Sequence, residues 1–172
     1  MEFVVLVDEQ DNAIGTMEKQ QAHIEGALHR AFSIFIFNSE KQLLLQKRAS
    51  SKYHCGGLWT NTCCSHPREN ESLQDAANRR LQEEMGMHCE LKHIFSFVYK
   101  AEFENGLIEH EFDHVFFGET NQIPQLNLDE VEEFKYIGLD ELQTEINEKP
   151  ESFTPWFLIA LDRVKEFKAT LS

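Results

Sequence analysis

The chain has 172 residues, 41% of them hydrophobic and 14 of them phenylalanine, which is enough for one domain with a packed core and too few for two. Its 30 acidic residues against 16 basic ones give a formal net charge of −14, which argues against nucleic-acid binding through a basic surface. The same excess requires that any anionic ligand be held by cations gathered locally, either metal ions or a few Lys and Arg side chains. The N-terminal segment has no basic region, its apolar run is too short for a signal peptide, and no stretch reaches membrane-spanning length. Cys55, Cys63, Cys64 and Cys89 form no C-x-x-C pair and read as reduced thiols of a cytoplasmic protein.

In chain order, a strand is expected at Phe3–Val7, then a turn over 8–15 and a short polar helix over about 18–25 that Gly26 stops. His29–Phe37 reads as a largely buried strand, joined by a hairpin turn at 38–41 to a strand at Gln42–Arg48. A long irregular loop, 49–59, follows; such loops commonly carry sites. Asn61, Thr62, Cys63, Cys64, Ser65, His66 and Pro67 then lead into a helix, putting a thiol, an imidazole and the carboxylates of Glu83 and Glu84 in one strand-loop-helix unit. In that helix Leu73, Ala76, Ala77, Leu81 and Met85 recur at the spacing of one buried face. Ser72 with Asp75 resembles a capping box, and Gly86 supplies the stop. Arg79, Arg80, Glu83 and Glu84 lie off the stripe and by themselves read as a solvated face, with Arg80 and Glu84 paired at i,i+4. Extended runs at 90–103 and 107–120 flank an Asn105-Gly106 hairpin turn. An acidic loop, a short strand at 134–137 and helices at 139–147 and 154–167 complete the chain, with Pro155 in a first-turn position. Strands on both sides of the central helix, with helices before and after, describe an α/β fold of the α+β type, a mixed β-sheet sandwiched between helices.

Residues of metal-binding type are spread along this outline. His23 and His29 are six apart with Gly26 between them, so they converge only if the chain turns there. Glu109 and Glu111, at i,i+2 on a strand, project from one face. With His66 they make three imidazoles and two carboxylates, a set suited to a divalent transition metal or Mn²⁺. Because adjacent extended residues face opposite ways, only one of Cys63 and Cys64 can point into a site.

Residues 65–87 are similar to the Nudix box, G-x5-E-x7-R-E-U-x-E-E-x-G-U with U aliphatic. Glu71, Arg79, Leu81, Glu83, Glu84, Gly86 and Met87 fit, while Ser65 stands for the opening Gly and Arg80 for the Glu after the Arg. A Nudix hydrolase uses that Glu to hold the metal that activates water, so Arg80 argues against ordinary hydrolysis and for holding a diphosphate intact. These departures, with Cys64-Ser65-His66, resemble the type 1 isopentenyl-diphosphate isomerases. The resemblance implies a single Nudix-like domain over 1–172 that moves a double bond between isopentenyl and dimethylallyl diphosphate in isoprenoid biosynthesis. It implies one divalent metal, Mn²⁺, Mg²⁺ or Zn²⁺, on His23, His29, His66, Glu109 and Glu111, and a Mg²⁺ completed by Glu84 and the substrate. Lys19, Arg48, Lys52 and Arg80 match its diphosphate-binding positions. Cys64 and Glu111 match its proton-transfer pair, with Tyr99 hydrogen-bonding nearby, and Trp156 matches the aromatic that faces the carbocation. Nearby cations are expected to favour the Cys64 thiolate. The expected partner is a small diphosphate, with no nucleic acid or membrane, and the expected state a monomer. A Nudix pyrophosphatase of nucleoside diphosphate derivatives and a non-catalytic metal-binding protein are the alternatives, and product analysis with isopentenyl diphosphate separates the three.

Overall fold

Eight of the nine residues in His29–Phe37 are buried, so this strand, β3, takes the middle of the sheet. The computed structural model describes residues 2–52 and 55–171. Before β3 come β1 (Phe3–Val7), β2 (Ala13–Glu18) and α1 (Lys19–Glu25); after it come β4 (Gln42–Arg48), β5 (Trp59–Thr60), β6 (Cys63–Ser65) and α2 (Leu73–Met85). The chain then continues through β7 (Lys92–Glu102), β8 (Ile108–Glu119), β9 (Val131–Gly138), α3 (Leu139–Glu148) and α4 (Pro155–Ala169).

Along one side, β3 runs parallel to β8 from His29↔Glu111 to Phe37↔Glu119. Along the other it meets β1 at Leu6↔His29, β6 from Phe32↔Ser65 to Ile34↔Cys63, and β4 only at Phe37↔Leu43. Since β4 goes on to pair with β5 and β9, the sheet splits, and the 61–65 segment fills the split. Side chains hold it there. Thr62 Oγ1 donates to the Leu44 carbonyl at 2.7 Å and accepts from the Ile36 amide at 3.0 Å, bridging the two halves. Asn61 Nδ2 donates to the carbonyls of Ile34 and Cys63, and Gln46 Nε2 donates to that of Thr62. Each such buried bond is worth about 0.5–1.5 kcal/mol net, and losing one partner costs more.

The pleat sorts side chains into two cores. On one face Phe35, Phe37, Leu45 and Val115 pack with Phe157 and Leu161 of α4 and Leu142 of α3. On the other, Phe32, Ile34, Ile36 and Phe116 lie beneath Ala76, Ala77, Leu81 and Met85 of α2. Leu81 and Met85 are fully buried, each contributing roughly 1.5–3 kcal/mol. The result is the expected mixed sheet between helices.

Most elements lie where the sequence places them. Ser72 Oγ accepts from the Asp75 amide at the start of α2. Gly86 ends it at φ 60°, where a Cβ would come within 2.7 Å of the Gln125 carbonyl. The 38–41 and 105–106 turns close their hairpins. Residues 13–18 differ: expected as turn and helix start, they form β2, paired with β1 from Phe3↔Glu18 to Val7↔Ala13. The first four are exposed, so no alternation of apolar residues marks the strand. β9 is longer than the expected 134–137. In the 49–59 loop, positions 53 and 54 lie outside the described residues, and Trp59–Thr60 pairs with β4. The cysteines are free thiols, and among the described residues no helix is long and apolar enough to cross a membrane.

Candidate active site

Gly26 brings the end of α1 onto the start of β3. At φ +70° it turns the chain where a Cβ would lie 3.0 Å from Ile108 Cγ2, and the rings of His23 and His29 come to a centroid distance of 5.3 Å. His23 Nδ1 donates to the Lys19 carbonyl at 2.7 Å and His29 Nδ1 to that of Ala27 at 2.9 Å, which fixes both tautomers and leaves the Nε2 atoms to face inward. His66 arrives from the loop after β6 and Glu111 from β8. One ligand atom from each of His23, His29, His66 and Glu111 lies within 4.8 Å of the others.

Two nitrogens bound to one ion at about 2.1 Å stand about 3.0–3.4 Å apart, and the Nε2 atoms of His29 and His66 are 3.2 Å apart. Glu111 Oε2 is 2.9 Å from His66 Nε2 and 3.4 Å from His29 Nε2. Burial disfavours charge on His29, but its bond to Glu111 outweighs this and raises its pKa, whereas burial pulls His66 down to about 3. Glu111 sits well below the usual carboxylate range, because the two imidazoles outweigh its burial. A carboxylate and imidazole nitrogens converging on one point fit a divalent cation. Glu109, buried on the same face of β8, lies just beyond this tight group.

A cavity of about 100 Å³ opens beside the cluster, with His66, Glu109 and Glu111 in its wall. Lys19, Arg48, Lys52 and Arg80 line it as well, although they come from α1, β4, the loop after β4 and α2. Lys19 Nζ is 3.2 Å from Glu2, Arg80 Nη2 is 2.6 Å from Glu84, and Lys52 is bonded to Glu130. Arg48 places its guanidinium 5.4 Å over the Trp156 ring and Nη1 3.7 Å from Cys64 Sγ. Among the described residues the wall carries these four cations against five carboxylates, Glu2, Glu84, Glu109, Glu111 and Glu130. Its formal charge of −1 repels a polyanion unless divalent ions offset the carboxylates. Glu84 corrects the reading of a solvated helix face: it is 4% exposed, with Oε1 accepting from Gln46 Nε2 and Oε2 from Arg80.

Cys63 and Cys64 face opposite ways, as strand geometry requires. Cys63 is buried in the core beneath α2, while Cys64 lines the cavity. Ser33 of β3 pairs with Cys64 on one side and with Val115 of β8 on the other, so β6 and the strand bearing Glu111 flank β3. Burial works against the expected thiolate. Burial pushes the Cys64 thiol up, Arg48 offsets this only in part, and Glu84, Glu111 and Glu109 add to the rise. Tyr99 stands opposite Glu111 in the β7–β8 ladder. Its hydroxyl is buried with no hydrogen-bond partner among the described residues, and burial with the charges of Glu109 and Glu111 pushes the phenol up, so it keeps its proton. Trp156 is set by the start of α4. The Thr154 amide donates to the Trp59 carbonyl, Thr154 and Thr60 hydroxyls meet at 2.7 Å, and Trp156 Nε1 donates to Asn61 Oδ1 at 3.2 Å.

The family model of the NUDIX domain matches residues 27–157. The isopentenyl-diphosphate Delta-isomerase 2 of Aromatoleum aromaticum is 58% identical over 161 residues, covering 94% of this chain and 85% of that protein. The isopentenyl-diphosphate Delta-isomerase of Pectobacterium atrosepticum is 52% identical over 164 residues, 95% of this chain and 92% of that one. The chain belongs to the type 1 isopentenyl-diphosphate isomerases of the Nudix superfamily. In the crystal structure of DR0079 from Deinococcus radiodurans the same fold recurs with a TM-score of 0.71 at 20% identity, over 86% of this chain and 90% of that one.

For an isopentenyl-diphosphate isomerase, the departure at Arg80 has a structural meaning: a guanidinium bonded to Glu83 and Glu84 lines the cavity. Asp113 was missed by the sequence reading, though it continues the Glu109, Glu111 alternation. It is 1% exposed, accepts from Ser33 Oγ at 2.8 Å, and burial pushes its carboxyl well up. Asn61, Thr62 and Gln46 position the thiol segment, and Glu130 lines the cavity. Asn61 and Thr62 lie in the 61–67 stretch that the sequence singles out, though nothing there gives them a role, and no spacing or motif marks Gln46 or Glu130.

Proposed function

We propose that the chain interconverts isopentenyl diphosphate and dimethylallyl diphosphate by protonating the alkene at one carbon and deprotonating it at another, through a tertiary carbocation. One observation carries the reading: a thiol, a carboxylate and an indole line the same small cavity as four cations. Lys19, Arg48, Lys52 and Arg80 bind the diphosphate. Cys64 and Glu111 exchange protons with the alkene, and together they hold one transferable proton. Which of them holds it decides which isomer is consumed. Tyr99 keeps its own proton, and its buried hydroxyl, unpartnered among the described residues, stands opposite Glu111 as a donor available to the reacting site. The indole of Trp156 faces the cation without attacking it, since an aromatic face is not a nucleophile. His23, His29, His66, Glu111 and Glu109 hold one divalent metal, Mn²⁺, Mg²⁺ or Zn²⁺, and Glu84 takes part in a Mg²⁺ site with the diphosphate. Such ions supply positive charge that offsets the carboxylates of the wall. Residues 1–172 act as one domain, a cytoplasmic monomer in this proposal. Hydrolysis of nucleoside diphosphate derivatives is disfavoured by Arg80.

The purified protein supplied with Mg²⁺ is expected to form the allylic isomer from isopentenyl diphosphate and to release no phosphate. Rapid phosphate or nucleoside monophosphate release from ordinary Nudix substrates, with no isomer formed, would refute the proposal.

Trp156 gives a second test. Phe and Leu both lose the bond to Asn61, so comparing Trp156→Phe with Trp156→Leu isolates the π face. A desolvated cation–π contact of about 2 kcal/mol corresponds to roughly 30-fold in rate, and Trp156→Leu is expected to be slower than Trp156→Phe by that order. Equal turnover numbers would reduce the indole to packing.

A further inference from the structure

Glu130, a carboxylate of the cavity wall, ties together cations from two different elements, Lys52 from the loop after β4 and Arg80 from α2. It stands immediately before β9, where its amide donates to the Asn127 carbonyl at 2.9 Å and its carbonyl accepts from the Ala49 amide at 3.0 Å. The Lys52 amide donates to the Ala49 carbonyl, so the backbone of Glu130 is fixed to the start of the loop that carries Lys52. Its Oε2 bonds Lys52 Nζ and its Oε1 lies 3.5 Å from Arg80 Nη2 on α2. Two anionic oxygens thus stand between two cations, which is the contact a phosphate group makes. The Glu130 side chain is 24% exposed and has a path to water, whereas that of Glu84, on the other side of Arg80, is 5% exposed.

We propose that Glu130 is a place-holder for the diphosphate. It is a positioning residue that occupies the place between Lys52 and Arg80 while the site is free of ligand and yields both to the substrate. The two cations have other supports, since the Lys52 backbone is tied to Ala49 and Arg80 is bonded to Glu83 and Glu84, so the Glu130 charge competes with a ligand more than it holds them in place. When phosphate oxygens take their place beside Lys52 and Arg80, the Glu130 charge is repelled and turns to solvent. Each binding event therefore includes displacement of a carboxylate. The inference rests on the diphosphate reading above.

Glu130→Gln keeps the length and one oxygen acceptor but removes the charge to be displaced. Calorimetry with inorganic pyrophosphate and Mg²⁺ is expected to give a Kd roughly 3- to 10-fold lower than that of the unsubstituted chain, with a difference that shrinks as salt is added. KM for isopentenyl diphosphate is expected to fall in parallel while kcat does not rise, because the product carries the same diphosphate. Glu130→Asn, the shorter neutral amide, is expected to shift in the same direction, so the result does not depend on one variant's packing. Pyrophosphate binding that is equal or weaker in the amide variants would overturn the place-holder role. An unsubstituted chain that neither isomerises nor binds pyrophosphate would instead overturn the diphosphate reading.

Discussion

Cys64→Ala is expected to abolish isomerisation, with a loss beyond the roughly 10²–10⁴-fold typical of one general acid or base. The reason is geometric. Cys64 and Glu111 stand on strands flanking β3, and in the proposed reaction each reaches a different side of the alkene, so neither can do the other's task. The cavity of about 100 Å³ is walled in part by Phe32 and Trp156 and leaves little room for water to substitute beside a bound substrate. Cys63→Ala is the internal control. Its sulfur is fully buried beneath α2, so the variant is expected to lose about 1–2 kcal/mol of stability and keep near-normal turnover. Glu111→Gln is expected to match Cys64→Ala. Turnover in heavy water, with product deuteration read by mass spectrometry, checks all three. Near-normal isomerisation by Cys64→Ala, or its abolition by Cys63→Ala, would assign the chemistry to the wrong thiol.

His66→Ala is expected to lose the tightly held metal and at least about 100-fold in activity. Its Nε2 is 3.2 Å from that of His29 and 2.9 Å from Glu111, so its removal takes away a ligand shared by the whole cluster. Glu109→Ala is expected to lower metal content too, and less sharply, because Glu109 lies outside the tight group. An outlying carboxylate that only orients ligands changes metal affinity by about 10–100-fold. Elemental analysis of the dialysed proteins decides the matter independently of turnover. Full metal retention in both variants would remove the cluster as a metal site.

The helix at the heart of the chain was legible because its signals are local. Apolar spacing from Leu73 to Met85, the cap at Ser72 and the stop at Gly86 depend on neighbours a few residues away, and α2 has those bounds. The opposite facing of Cys63 and Cys64 followed from the pleat alone. β2 was not legible, since its exposed residues show no alternation and only pairing with β1 makes it a strand. Nor was the burial of Glu84, which depends on Gln46 arriving from β4.

By itself, then, the sequence determined the class of fold, the family through its altered Nudix box, and which residue types stand at the site, because these are written in local spacing and in motifs. Tertiary structure alone decided what those residues do to one another. The split between β3 and β4 seats the 61–65 segment beside α2, and four cations from separate elements meet one cavity. Burial there pushes the Cys64 thiol up against the pull of Arg48, while paired imidazoles pull the Glu111 carboxyl down against its own burial. Charge and protonation depend on distances between residues as far apart as Lys52 and Glu130 in the chain, and such distances exist only once the fold has closed.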